Sequence, residues 1–172
     1  MNAPYFAYGS NMNLEQMANR CPGSKMLGLA RKPGWRFIIN GRGYVTALDD
    51  PSAVGFGCLS GLTDEHWNAL DRYEGVAGGY YHRVDCELVL IDSEEVVDAI
   101  AYRASDETTG VPSGTYADAV IQGAREIGLP SADLDFLEYL ACKSKLLRIV
   151  CESSTVPYDD RLRPYDLSLL PI

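Results

Sequence analysis

The stretch "PYFAYGSNMN" (Pro4–Asn13) places a short apolar segment directly before small polar residues, close to the start of the chain. Tyr5–Tyr8 has the aromatic composition of a strand, and Gly9–Asn11 is typical of a turn. A helix is expected from about Asn13, so unpaired backbone N–H groups gather at this turn. Such groups bind carboxylates and phosphates. Two interpretations stay open: a plain turn, or a cradle for a small anion in which Gly9 lets the ligand approach the main chain.

Composition narrows the functional classes. The 172 residues suffice for one domain, and 47% apolar with 23% charged residues is ordinary for a globular protein. The net charge of −9 and the lack of a basic cluster argue against a nucleic-acid partner. No apolar run is long enough to span a membrane, and no signal-peptide pattern is visible. The five cysteines are scattered without a CxxC pair, which is typical of reduced thiols in a core, so we expect a cytoplasmic protein with no membrane partner.

The pattern of residues predicts strands first and two helices late in the chain. The expected strands are Tyr5–Tyr8, Trp35–Asn40, Tyr44–Leu48, Val54–Leu62, Tyr80–Ile91 and Val96–Ala104. The expected helices are Asn13–Arg20, Thr63–Gly75, Tyr116–Gly128 and a fourth from Ser131. This order predicts an α+β fold on a small, closed or strongly bent sheet. We expect residues 1–150 to form one domain and residues 151–172 a C-terminal extension packed on the body or on a neighbour.

Few residues in the sequence could carry chemistry. The two histidines, His66 and His82, have no cysteine at ligand spacing, so we expect no metal site. Glycine motifs for phosphate or dinucleotide binding and the GxSxG elbow of hydrolases are also missing. No histidine is placed by sequence to activate Ser10, so a hydrolytic triad has little support.

One carboxylate stands at an unfavourable place. Glu74 lies in the last turn of the helix that ends before Gly75, where the helix macrodipole is negative. If its side chain also points into an apolar cavity, both effects raise its pKa and suit it to act as a general base. Tyr81, at the start of the next strand, could cover it. The alternative is an exposed glutamate at a frayed helix end.

Three segments together resemble the γ-glutamylcyclotransferase family, which is related to the AIG2-like proteins. These segments are "YFAYGSNM" (5–12), "LDRYEGVAGGYY" (70–81) and "SGTYADAVIQGAREIGLP" (113–130), and the resemblance extends from about Tyr5 to Lys145. It implies a small mixed β-barrel with helices packed outside and a substrate pocket at one end. It also implies an enzyme without metal or organic cofactor that converts a γ-glutamyl amino acid into 5-oxoproline and the free amino acid, and a possible homodimer.

The resemblance also assigns roles to residues. Glu74 matches the catalytic glutamate, and Tyr81 and Tyr116 match two pocket tyrosines. The substrate-binding loop matches Tyr5, Phe6, Ala7, Tyr8, Gly9, Ser10 and Asn11. In the implied reaction, Glu74 takes a proton from the substrate's α-amine, which attacks its own γ-carbonyl. Two alternatives remain: a γ-glutamylamine as substrate, such as an isopeptide or a pathway-specific amine, and a non-catalytic protein that binds small carboxylates.

Overall fold

The structure is a computed structural model that describes residues 3–112 and 114–130. The strands are β1 (Tyr5–Ala7), β2 (Lys25–Ile39), β3 (Val45–Gly61), β4 (Tyr81–Leu90) and β5 (Val96–Ala104). The α-helices are α1 (Leu14–Arg20), α2 (Asp64–Glu74) and α3 (Gly114–Glu126). Single 3₁₀ turns occupy Ser10–Met12 and Val76–Gly78. The helix expected from Ser131 and the extension 151–172 lie outside the described residues.

The five strands close into a barrel in the order β1-β3-β2-β4-β5. The pairs β1–β3, β2–β3, β2–β4 and β4–β5 are antiparallel, whereas β1 runs parallel to β5 through Tyr5 and Ile100. The barrel is therefore mixed, and the predicted fold class is confirmed. Because β1 runs parallel to β5, the segment after β1 emerges at the end of the barrel where β5 also ends.

The region 25–61 differs from the prediction of three short strands. It forms one long hairpin in which Ile39 pairs with Val45 and Lys25 with Gly61. Pro33 and Pro51 flank one bulge inside the hairpin, where the register jumps from Pro33–Val54 to Trp35–Asp49 and leaves residues 50–53 without strand partners. Proline is tolerated at such bulges because no ladder hydrogen bond is lost there. Pairing along the hairpin thus outweighs the local turn composition.

The helices match their sequence signals closely. Thr63 caps α2 by accepting a hydrogen bond from the backbone N–H of His66, and Gly75 ends it with a φ of 66°. Trp67 and Leu70 bury the apolar face of α2, and Ala117, Val120 and Ala124 do the same for α3. Among the described helices, none has the length and apolar character needed to cross a membrane.

The cysteines of the described residues behave as core residues. Cys21, Cys58 and Cys86 are free thiols with buried side chains. Burial raises the pKa of the Cys58 thiol to about 12, so this thiol stays protonated and unreactive. Cys142 and Cys151 lie outside the described part of the chain.

Candidate active site

A cavity of about 270 Å³ opens at the end of the barrel where β1 and β5 finish and β3 and β4 begin. Its walls come from the turn after β1, helix α1, the β2–β3 turn, the end of α2 and the barrel strands. The lining residues are Tyr5, Tyr8, Gly9, Ser10, Asn11, Gln16, Arg20, Arg42, Tyr44, Val45, Tyr73, Glu74, Tyr80, Tyr81, Tyr102 and Tyr116. The cavity has the size of a site for a small ligand rather than a macromolecule.

The structure brings most of the predicted site residues together in this cavity, but not Phe6 and Ala7. Both side chains are fully buried in the core, on either side of β1, and neither lines the cavity. They hold β1 in the barrel and so fix where the following turn begins. Tyr8, the last of the aromatic run, does line the cavity, and its hydroxyl donates to the backbone carbonyl of Tyr102.

Glu74 is the last residue of α2, and its carboxylate faces the turn that follows β1. The side chain is only 17% exposed, and the Nδ2 of Asn11 donates to its Oε1 at 3.0 Å. The Nη1 of Arg20 lies 4.0 Å from the same oxygen. Burial raises the pKa of Glu74 above its ordinary value, while the Arg20 charge and the Asn11 hydrogen bond oppose that rise. A desolvated carboxylate of this kind is suited to accept and return a proton.

Asn11 connects three side chains to this carboxylate. Its Oδ1 accepts hydrogen bonds from Arg20 Nη1 at 2.6 Å and from Gln16 Nε2 at 3.3 Å. Its Nδ2 donates to the Tyr5 hydroxyl at 2.8 Å as well as to Glu74. Because the two α1 donors occupy the oxygen, the amide can turn only its NH₂ group toward Glu74. Asn11 is therefore the residue that orients the carboxylate.

Tyr81 and Tyr116 meet at the main chain of Val45. The Tyr81 hydroxyl donates to the Val45 carbonyl at 3.0 Å, and the Val45 N–H donates to the Tyr116 hydroxyl at 3.1 Å. Burial raises the pKa of both hydroxyls, and hydrogen bonds from the backbone of Val45 and Ser10 partly offset this for Tyr116. Both hydroxyls therefore stay neutral. The charge of Glu74 also contributes to the raised pKa of Tyr81, which lines the same cavity.

Gly9 packs against the β2–β3 hairpin. A Cβ added at Gly9 would lie 2.5 Å from Val45 Cγ1 and 3.3 Å from the Tyr116 hydroxyl. The glycine therefore leaves room for the side chain of Val45 on that side of the main chain. The turn can approach the β2–β3 hairpin closely only because this position carries no side chain.

The sequence patterns did not indicate the arginines or most of the aromatic residues at the mouth of the cavity. Arg20 and Arg42 both line the cavity, as do the half-exposed rings of Tyr44, Tyr73 and Tyr80. Arg20 was visible only as the last residue of a short helix, and Arg42 only as part of a glycine-rich turn. Their role depends on contacts between segments far apart in the chain, which no local pattern reveals.

The charge of the cavity is opposite to that of the chain. Among the described lining residues the charged ones are Arg20, Arg42 and Glu74, a net positive set in a protein of net charge −9. Within the described ranges, no three His, Cys, Asp or Glu side chains lie together as a metal ion requires. The two arginines make the cavity suited to a ligand with an anionic group.

Comparison with known proteins shows which families the chain resembles. Residues 55–137 match the model of the AIG2-like family. The chain is 26% identical to human γ-glutamylcyclotransferase over 136 residues, which cover 73% of the chain and 72% of that relative. The bovine γ-glutamylcyclotransferase is 25% identical over the same coverage.

Solved structures agree with the fold. A structure named γ-glutamyl cyclotransferase matches with a TM-score of 0.74 and 24% identity, covering 79% of this chain and 86% of that structure. A human protein of undescribed activity matches with the same TM-score at 25% identity. Together these matches confirm the resemblance to γ-glutamylcyclotransferases that the sequence motifs indicated.

Proposed function

We propose that this protein is a γ-glutamyl cyclotransferase that converts a γ-glutamyl amino acid into 5-oxoproline and the free amino acid. The observation that carries the proposal is the partly desolvated carboxylate of Glu74, held by Asn11 at the wall of a small cavity. The names of the human and bovine relatives support the same reaction.

Binding would set the conformer that reacts. The Gly9–Asn11 turn lines the cavity, and its backbone would hold the α-carboxylate of the glutamyl group. A glutamyl chain fixed at that end can fold back so that its α-amine approaches its own γ-carbonyl. Because ring closure is then intramolecular, most of the entropic part of the barrier is removed.

Glu74 would act first as a general base and then as a general acid. The α-amine is mostly an ammonium at neutral pH and cannot attack until it loses a proton. Glu74 accepts that proton, the amine nitrogen bonds to the γ-carbonyl carbon, and the bond from that carbon to the leaving nitrogen breaks. Glu74 then donates the proton to the departing nitrogen, and the second proton that the ring nitrogen loses passes through the same carboxylate, so that the product amine leaves as an ammonium. The neutral hydroxyls of Tyr81 and Tyr116 would orient the substrate, with that of Tyr81 as an acceptor because its proton binds the Val45 carbonyl.

The test is Glu74→Gln, measured as 5-oxoproline release from γ-glutamyl-L-alanine. Glutamine keeps the Oε1 acceptor for Asn11 and the side-chain shape, but it cannot take up a proton. We expect kcat to fall by about 10²–10⁴-fold, the usual contribution of general acid–base catalysis. Glu87→Gln is the matched control, because Glu87 is exposed on β4 and does not line the cavity. A folded Glu74→Gln protein with wild-type turnover would refute the proposal.

The alternatives make different products or none. A γ-glutamylamine cyclotransferase would release 5-oxoproline from γ-glutamylamines but not from γ-glutamyl-L-alanine. A non-catalytic carboxylate-binding protein would bind the dipeptide and release no 5-oxoproline. Incubating the wild type with both substrates separates the three possibilities, and release from the dipeptide is the outcome that we expect.

A further inference from the structure

Arg42 stands at the mouth of the cavity in the turn between β2 and β3. The Oδ1 of the buried Asn40 accepts hydrogen bonds from the backbone N–H groups of Arg42 and Tyr44, each at 3.1 Å. The Arg42 guanidinium lies over the ring of Tyr80, 3.9 Å from its centroid, and 5.7 Å from the centroid of Tyr44. Both its backbone and its side chain are thus held in place.

The ring beneath Arg42 is fixed by the glycine-rich turn that follows Glu74. Gly75 has a φ of 66°, and a Cβ at that position would lie 2.6 Å from Cδ2 of Tyr80. The Tyr80 N–H also donates to the Gly75 carbonyl at 3.2 Å. Since Gly75 directly follows Glu74, the same turn sets the position of the carboxylate and, through Tyr80, of the guanidinium.

The two cavity arginines differ in what they already bind. Arg20 donates to Asn11 and lies 4.0 Å from Glu74. In the described part of the chain no carboxylate comes within 4.0 Å of Arg42. The pKa of Asp106 is lowered mainly by hydrogen bonds from the Thr108 hydroxyl and backbone, and to a smaller extent by the charge of Arg42. The Arg42 guanidinium is therefore placed to pair with a carboxylate of a ligand.

We propose that Arg42 binds the α-carboxylate of the leaving amino acid and is the residue that favours γ-glutamyl amino acids over γ-glutamylamines. This inference rests on the proposed function. A γ-glutamyl amino acid carries a second carboxylate, on its leaving group, that can pair with the guanidinium of Arg42 in the cavity. A γ-glutamylamine lacks the second carboxylate and leaves Arg42 without a partner. In the proposed reaction the backbone of the Gly9–Asn11 turn binds the carboxylate of the glutamyl group. The leaving group then lies at the mouth of the cavity.

The experiment compares γ-glutamyl-L-alanine with γ-glutamylethylamine, which differ only by the carboxylate of the leaving group. Wild type should have the higher kcat/KM for the alanine substrate. Arg42→Gln should lower that value by roughly tenfold, the size expected for a charge-assisted hydrogen bond at a partly exposed site, and mainly through KM. The ethylamine substrate should be turned over by Arg42→Gln as by wild type. Arg42→Lys, which keeps the charge but loses the planar fork, should recover part of the loss.

Arg72→Gln is the matched control. It removes the same charge from an exposed arginine of α2 that does not line the cavity. It should leave the preference between the two substrates unchanged. An equal loss on both substrates in Arg42→Gln, or no loss on either, would overturn the proposal. If Arg42→Gln does not fold, the wild type decides, since equal kcat/KM values for the two substrates also overturn it. Release of 5-oxoproline from neither substrate would instead refute the proposed function itself.

Discussion

Replacing Gly9 by alanine tests how the turn after β1 is packed against the β2–β3 hairpin. The added Cβ would lie 2.5 Å from Val45 Cγ1, closer than two carbon atoms approach in proteins, so the turn or the hairpin must move. Overpacking of this kind costs about 1–3 kcal/mol. In a protein of this size, each kcal/mol lowers the melting temperature by about 2–4 °C. We therefore expect Gly9→Ala to be clearly less stable than wild type.

The partner variant Val45→Ala removes the carbon atom that causes the clash. Alone it should destabilise by at least about 1.6 kcal/mol, the transfer free energy of two methylene groups. In the double variant the alanine at position 9 finds the space that Val45 has vacated. The double variant should therefore lose less stability than the sum of the two single variants, with a coupling of about 1–3 kcal/mol.

Urea unfolding of the four proteins measures this coupling. Gly61→Ala is the control substitution, because its Cβ would meet only the Leu27 side chain, at 3.7 Å or more, and its φ is not in the left-handed region. That variant should be as stable as wild type or slightly more stable. If the losses of Gly9→Ala and Val45→Ala simply add, the contact does not restrict position 9, and our explanation of the glycine is wrong.

Two further substitutions test the electrostatics and the hydrogen bonds of the site. Arg20→Gln removes the charge that lowers the pKa of Glu74, so that pKa should rise further and the acid limb of the kcat/KM profile should move to higher pH; a limb that stays or moves to lower pH contradicts the assignment. Tyr81→Phe leaves the Val45 carbonyl without its donor and should lower the free energy of unfolding by about 1–3 kcal/mol, measured in urea. Tyr73→Phe, at a residue 60% exposed, is its control, and equal stability of the two variants would show that the hydrogen bond contributes little.

Much of the fold follows from local sequence patterns. The capping residue Thr63 and the terminal Gly75 mark α2 closely, and the alternation along Tyr81–Leu90 marks β4. The long hairpin could not be read in the same way, because Pro33 and Pro51 look like breaks until the pairing of the whole hairpin is known. Local composition indicates where a chain can turn, and the partner strand determines where it does.

The site residues also differ in how far the sequence alone reveals them. Glu74 is recognisable because a carboxylate at the negative end of a helix is unfavourable for the helix itself. The geometry that makes it useful comes from Asn11, 63 positions away. Likewise, Arg42 is unremarkable in sequence until the structure stacks it on Tyr80, which lies on another strand boundary. Contacts of this range depend on barrel closure and leave no periodic trace in the sequence.

The short strand β1 joins the two ends of the sheet, with Tyr5 beside Ser60 on one side and Ile100 on the other. The ribosome makes this strand first, yet its second neighbour emerges only after some hundred residues. We therefore expect Asn11 and Glu74 to come together late in folding, because such long-range pairings carry a large loop-closure cost. A nascent or truncated chain that ends before β5 would hold most of the pocket residues and still lack the pocket.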